Sequence, residues 1–334
     1  MRRRWRRISS RALTPLGCLL LTAFARGAAA APTLALERVI PLAQVSGRID
    51  HLAIDAGRGR LFVAELGNGS VEAVDLASGR SVGRIGGLKE PQGVGYLPGR
   101  DELVVATGGD GMLRFYRAAD LKPAGALKLG EDADDVRVDP QTGRVLTGYG
   151  QALAVVDPAT RTLVRRIPLP AHPEGFEAQG SRAVVNTPRA GAVIAVDLGS
   201  GRELARWRNP GPQFNFPLAL DSDAGRVAVV YRLPARLALF NAASGHVEQQ
   251  APTCGDADDV FFDGARKRLY VVCGAGAVEV FNRAGAGYAS AGRIPTREGA
   301  RTGLFSARQD RLYVAARARG RQPAAILVLR PSGP

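Results

Sequence analysis

From about residue 50 to the C-terminus, short apolar runs alternate with turns rich in Gly, Asp and Asn. No stretch there carries the 3.6-residue period of an amphipathic helix, so the pattern predicts strands joined by tight turns. One unit sets the template. Asp50-His51-Leu52-Ala53-Ile54-Asp55 reads as a first strand and Arg60-Leu61-Phe62-Val63-Ala64-Glu65 as a second. After Gly67-Asn68-Gly69, Ser70-Val71-Glu72-Ala73-Val74-Asp75 reads as a third. Ser78-Gly79-Arg80 then leads into a fourth, ending near Ile85.

The unit recurs. First strands are expected to begin at Asp50, Gln92, Asp134, Glu174, Phe216, Asp258 and Thr302, in steps of 42, 42, 40, 42, 42 and 44 residues. Second strands fall at Arg60–Glu65, Glu102–Thr107, Arg144–Tyr149, Arg182–Thr187, Arg226–Tyr231, Arg268–Cys273 and Arg311–Ala316. A period of ~40–45 residues with four strands per unit is the pattern of a propeller blade. A small sheet that is apolar on both faces cannot bury both alone, so blades must stack, and a ring leaves no blade uncovered. The predicted class is all-β, a seven-bladed β-propeller with four antiparallel strands per blade. The seventh unit ends after its third strand. Leu34-Ala35-Leu36-Glu37-Arg38-Val39-Ile40-Pro41-Leu42 matches the fourth strand of unit three, Thr160 to Leu169, and is expected to complete the last blade.

The run Leu61-Phe62-Val63-Ala64-Glu65, Gly69-Ser70-Val71-Glu72-Ala73-Val74-Asp75, Gly79-Arg80 resembles the YVTN-type repeat of YncE-like bacterial propellers, over about Leu34 to Leu329. The Tyr-Val-Thr-Asn core of that repeat is only loosely kept. The resemblance implies the same fold, and it brings weak single-stranded DNA binding to mind as one activity. The repeat specifies packing and not chemistry.

The first 31 residues do not fit the repeat. Arg2, Arg3, Arg4, Arg6, Arg7 and Arg11 precede an apolar stretch from Ala12 to Ala25 and a small-residue run ending at Ala31. That is the layout of a cleaved secretory signal peptide, and the stretch is too short to span a membrane. The expected organisation is a leader over residues 1–31 and a single propeller domain over 32–334, exported to the periplasm or beyond, without a membrane span and monomeric. The leader also changes the charge. The whole chain carries +14; the leader holds seven Arg and no Asp or Glu, which leaves 38 basic against 31 acidic residues, a net +7. No basic run interleaved with aromatics occurs, so nucleic acid is not the expected partner.

First-strand starts and second-strand ends should meet at one mouth of the central channel. This places His51, Asp134, Asp135, Glu174, Phe216, Asp258 and Asp259 there, with Glu65 and Tyr231 from second-strand ends. Phe214, Tyr149 and Arg232 extend an aromatic, cationic side. Glu131-Asp132-Ala133-Asp134-Asp135-Val136 and Gly255-Asp256-Ala257-Asp258-Asp259-Val260 are near-copies in units three and six. Their carboxylates suit a divalent cation, Ca²⁺ or Mg²⁺, on Asp134, Asp258 and His51. They suit equally a cationic ligand, or a base raised by like charge. The plain structural alternative is that these Asp residues cap turns. His172 precedes Glu174 and is the second histidine near this end.

After export only Cys254 and Cys273 remain, in one unit. An even count in an oxidising compartment predicts a disulfide bracing the Asp256–Asp259 loop. On the expected register residue 258 lies opposite 273. No zinc-protease, nucleophile-elbow, P-loop or haem-attachment motif is present. Three functions remain. The first is a scaffold binding a small molecule or protein through loops at the channel mouth. The second is a metal-dependent hydrolase, lactonase or lyase using the mouth carboxylates and His51. The third is weak single-stranded DNA binding.

Overall fold

The computed structural model describes residues 33–333. The leader predicted over residues 1–31 and its cleavage point lie outside the described residues. Seven four-stranded antiparallel sheets follow one another as blades. In the first six the strands run in chain order from the innermost to the outermost. They cover residues 52–85, 91–128, 136–168, 176–207, 213–252 and 257–298.

The seventh blade takes three strands from the C-terminus, Thr302–Ser306, Arg311–Ala316 and Ala324–Pro331. Its fourth is Leu34–Leu42, antiparallel to Ala324–Pro331 from Leu34 opposite Pro331 to Leu42 opposite Ala324. The expected closing strand therefore has the bounds read from the sequence. A bulge between Leu36 and Arg38 sets its seat, with Leu34 in the core between blades six and seven and Ile40 and Leu42 in the core between blades seven and one. Leu34, Ile40 and Leu42 are fully buried, while Leu36 is 56% exposed.

Seven apolar cores hold the ring, one between each pair of neighbours. Ile40, Leu42 and Tyr313 meet Leu52, Leu61 and Val63 between blades seven and one. Phe62 and Ala73 meet Val94 and Leu103 between blades one and two. The remaining five interfaces repeat the scheme. This is the two-sided burial that the apolar runs demanded. Burying each such Leu, Ile or Phe contributes about 1.5–3 kcal/mol.

Two local departures from the expected register bear on the channel. Ala257, not Asp258, lies opposite Cys273, and Asp258 sits in a bulge before Asp259 pairs with Val272. Blades two and five carry similar bulges, between Pro91 and Val94 and between Asn215 and Leu218. A bulge re-aims side chains at the end of a strand. Asp258 and Asp259 are both channel-facing for this reason, although they are sequence neighbours. Among the described residues no helix is long and apolar enough to cross a membrane.

If the closing strand locks the ring through its inward face, Ile40→Ala should cost about 2–4 kcal/mol. Leu36→Ala, on the same strand but exposed, should stay within about 0.5 kcal/mol. Urea denaturation of the two variants reads the difference, and equal losses would contradict the closure.

Candidate functional site at the channel mouth

The innermost strands converge on the ring axis, and their first residues line one end of the channel. His51, Asp134, Asp135, Glu174, Phe216, Asp258 and Asp259 line this one cavity together with Arg137. Backbone bonds fix these starts. Asp134 N donates to Gly148 O (2.9 Å), Glu174 N to Asn186 O (2.9 Å), and His51 N crosses to Gln92 O of blade two (3.2 Å). Gly175 is required where blade four meets blade five, since a Cβ there would lie 2.7 Å from Phe216 O.

A charged layer crosses the channel beneath the mouth. His51 lies between two carboxylates, with Nε2 4.0 Å from Asp135 Oδ1 and Nδ1 3.7 Å from Asp259 Oδ1. Burial alone would lower the His51 pKa, but Asp135 and Asp259 outweigh it and hold it well above the usual value. The two carboxylates thus favour the imidazolium form of His51. Arg137 binds Asp135 and reaches Glu177 Oε1 at 3.3 Å. Asp259 Oδ2 also accepts from Gly303 N at 2.8 Å, which ties blades six and seven. Burial raises Asp135 and Glu177 despite Arg137.

Above this layer the mouth divides by charge. On one side Asp258 is held by Arg232 and by Arg301 Nε at 2.8 Å. Arg48 joins them, 2.9 Å from the buried Asp50. Burial pushes Asp50 up to about 7. On the other side lie Asp134, His172 and Glu174. His172 Nδ1 donates to Gly150 O at 2.9 Å, and its Nε2 is 3.8 Å from Asp134 Oδ2. Burial would raise Asp134, but His172 and His51 bring it below the ordinary carboxylate value. Glu174 moves the other way. Burial, reinforced by Asp134, pushes it up to about 8. The two carboxyl groups that line this side are thus shifted in opposite directions.

Phe216 is locked between these sides. Arg232 stacks over its ring, 3.6 Å from the centroid. Asn186 Nδ2 donates to Phe216 O at 2.9 Å, and Asn215 Nδ2 donates to Asn186 Oδ1 at 2.9 Å. A guanidinium flat on an aromatic face contributes about 0.5–2 kcal/mol, and the Arg232 edge also donates to Ala257 O at 2.9 Å and to Asp258.

Not every expected mouth residue arrives. Tyr231 is buried in the apolar core between blades four and five, and Tyr149 in the core between blades two and three. Glu65 is fully buried in the body of blade one. It accepts from Ser70 and from Asn68 Nδ2 at 3.3 Å, near Arg84. Burial, together with Glu72, pushes Glu65 up to about 7. The last residue of a second strand points into the wall, not the channel, which corrects all three placements. Phe214 is 44% exposed, outside the cavity. The sequence reading missed Arg48, Asp50, Arg137, Glu177 and Arg301. Arg137 and Glu177 carried a usable signal, as charged residues inside innermost strands that are otherwise apolar.

The residues expected to hold a divalent cation have separate partners. Asp134 faces a histidine, Asp258 two guanidiniums, and His51 two carboxylates. Among the described residues no group of three or more His, Cys, Asp or Glu is placed to hold a metal ion. Cys254 and Cys273 do form a disulfide, with Cα atoms 5.8 Å apart. Both sulfurs are buried in the core between blades five and six. Next to it, Gly274 N donates to Asp256 O at 2.8 Å, so the bridge sits at the root of the loop that presents Asp258.

No family model matches the chain, and no curated protein matches it by sequence. Solved structures do resemble it. The WD40 repeats of RRP9 superpose with a TM-score of 0.74 at 14% identity, over 88% of this chain and 97% of that one. U3-55K superposes with 0.75 at 12% identity, over 88% and 98%. Hydrazine synthase of Kuenenia stuttgartiensis gives 0.70 at 16% identity, over 81% and 94%. At such identities the likeness establishes the seven-bladed fold and nothing about activity.

Two outcomes follow. Glu174 has a folded pKa of about 8 against an ordinary 4.5, so the folded state binds the extra proton between these values. Stability from this group is complete below pH about 4.5 and is lost as pH rises through about 8. Glu174→Gln should therefore melt with the parent at pH 5 and above it at pH 9; a constant offset across that range would contradict the assignment. For the disulfide, replacing both Cys254 and Cys273 by Ala should cost about 3 kcal/mol in urea denaturation, the loop-entropy value for a separation of 19 residues. An unchanged midpoint would show that the bridge adds nothing.

Proposed function

We propose that the chain is an exported binding propeller whose channel mouth takes a small polar ligand carrying both charges, such as an amino acid or the end of a peptide. The observation that carries this reading is the division of the mouth. Arg232 and Arg301 hold Asp258 on one side, and Asp134 and Glu174, whose burial favours its protonated form, stand on the other, with His51, Arg137 and Asp259 in the layer below. A carboxylate would meet the guanidinium edges, where charge-assisted hydrogen bonds are strongest. An ammonium group would meet Asp134, with Glu174 donating to a neighbouring oxygen.

Export is the reading of residues 1–31, and the disulfide supports it, since such bridges persist in oxidising compartments. The resemblance to YVTN-type propellers is compatible with a periplasmic or extracellular binding role. A protein partner presenting its terminus would use the same chemistry.

A second reading rests on one observation. Glu174 and Asp134 on one side of the mouth are shifted in opposite directions, which is how acid and base roles are assigned in hydrolases and lyases. Turnover of an ester or lactone that vanishes in Glu174→Gln would make this the better account.

The test of the binding reading is a thermal-shift panel of zwitterionic amino acids at millimolar concentration. A ligand at 100 times its Kd stabilises by about 2.7 kcal/mol, so a binder raises Tm measurably. The shift should vanish in Arg232→Gln and shrink in Glu174→Ala, while Ca²⁺ or Mg²⁺ leaves Tm unchanged. Indifference to the whole panel, or a shift with Ca²⁺ alone, would contradict it.

A further inference from the structure

The charged layer of His51, Arg137 and Asp259 has a second side. Beneath it the channel widens into another cavity, facing away from the mouth and sharing only these three residues with it. Its character is different. The later residues of the innermost strands line it, and Ile54, Tyr96, Val138, Phe261, Leu304 and Phe305 are all half-buried, with their remaining exposure on the cavity. The cavity holds roughly 330 Å³. Small-molecule sites span about 300–1,000 Å³ and are mostly apolar with a few polar groups at one end.

The walls are stiff. Phe305 is backed by the fully buried Tyr270, with ring centroids 5.3 Å apart, and Tyr96 by the fully buried Phe62, at 6.3 Å. The Tyr96 hydroxyl is already committed to Asp101 Oδ1 at 3.1 Å, so the cavity sees its ring. The roof is the polar end. Arg137 and His51 are the cations there, and both are already matched by Asp135, Asp259 and Glu177. Three carboxyl groups against two cations leave acceptor oxygens in excess, and an anionic head would meet repulsion.

We propose that this lower cavity is a second ligand site, for a small flat aromatic molecule bearing a neutral hydrogen-bond donor, a phenol or an aromatic alcohol. The ring system stacks between the Phe261 and Phe305 walls. The hydroxyl points at the roof and donates to Glu177 or Asp259. Burial of such a ring removes 150–250 Å² of apolar surface from water, the dominant favourable contribution.

Titration with 2-naphthol, read by its fluorescence, tests this on the mature chain. Saturable binding is expected, at least about tenfold tighter than for 2-naphthoate, whose carboxylate would be buried against the roof acids. Leu304→Trp, which fills the cavity, should abolish binding, and Leu163→Ala on an outer strand should leave it unchanged. If Leu304→Trp does not fold, Val138→Trp reads the same loss. A crystal of the parent chain soaked in 2-naphthol should show it between Phe261 and Phe305. Absence of saturable binding, equal affinity for the two probes, undiminished binding in the filled variant, or density only at the mouth would each overturn the site. None of these readings uses the amino-acid panel, so failure here leaves the mouth ligand untouched.

Discussion

A four-stranded sheet with apolar side chains on both faces has no stable existence by itself, and this constraint governs the whole chain. Each blade is covered by two neighbours, and the last gap is closed by the ladder between Leu34–Leu42 and Ala324–Pro331. That one pairing joins the two ends of the propeller across nearly three hundred residues. It also completes the core in which Ile40 and Leu42 pack against Leu52, Leu61 and Val63. Loop closure over such a separation is entropically costly, so it must be offset by the seven apolar interfaces acting together. Cooperative closure in turn places seven strand starts on one axis, which no pair of blades could do.

The same convergence forces charge together. Asp134, Asp135, Asp258 and Asp259 approach one another because two blades reuse one loop sequence. Like carboxylates in a narrow channel would repel, and the chain answers with Arg137, Arg232, Arg301 and His51. Removing one partner of a buried pair leaves an uncompensated charge, at a cost of about 3–5 kcal/mol. The network lies between the charged mouth and a lower chamber whose walls are mainly apolar and whose roof is charged. Both proposed sites inherit their chemistry from this layer, one from its charges above and one from its balance below.

The blades were legible in the sequence because two-sided burial leaves long apolar strands at a constant period. Leu34–Leu42 was legible because its alternation matched a fourth strand and the seventh unit lacked one. The cysteine pair followed from count and compartment. The site was legible only in part. First-strand starts were found by position, but the bulge at Asp258 shifts the register by one residue, and bulges leave little trace in a hydrophobic pattern. Tyr231 and Glu65 were misplaced because the direction of a side chain at a strand end depends on twist and not on alternation alone. Aspartate was ambiguous by nature. Asp75 and Asp197 cap turns by accepting from Ser78 and Ser200, whereas Asp134 and Asp258 take guanidinium or imidazole partners from other blades. Those partners, His172 and Arg301 among them, are distant in the chain, so composition could not assign them.

The ring as one cooperative body is the claim beneath every placement at the mouth. Native-state hydrogen exchange tests it most directly. Amides of Leu34–Leu42 should exchange at the same free energy as those of Arg60–Glu65 in the heart of blade one, because opening the seam unfolds the whole. Exchange of the Leu34–Leu42 amides at a much lower free energy, with the other blades still protected, would mean that the terminal strand merely rests on a ring already stable without it.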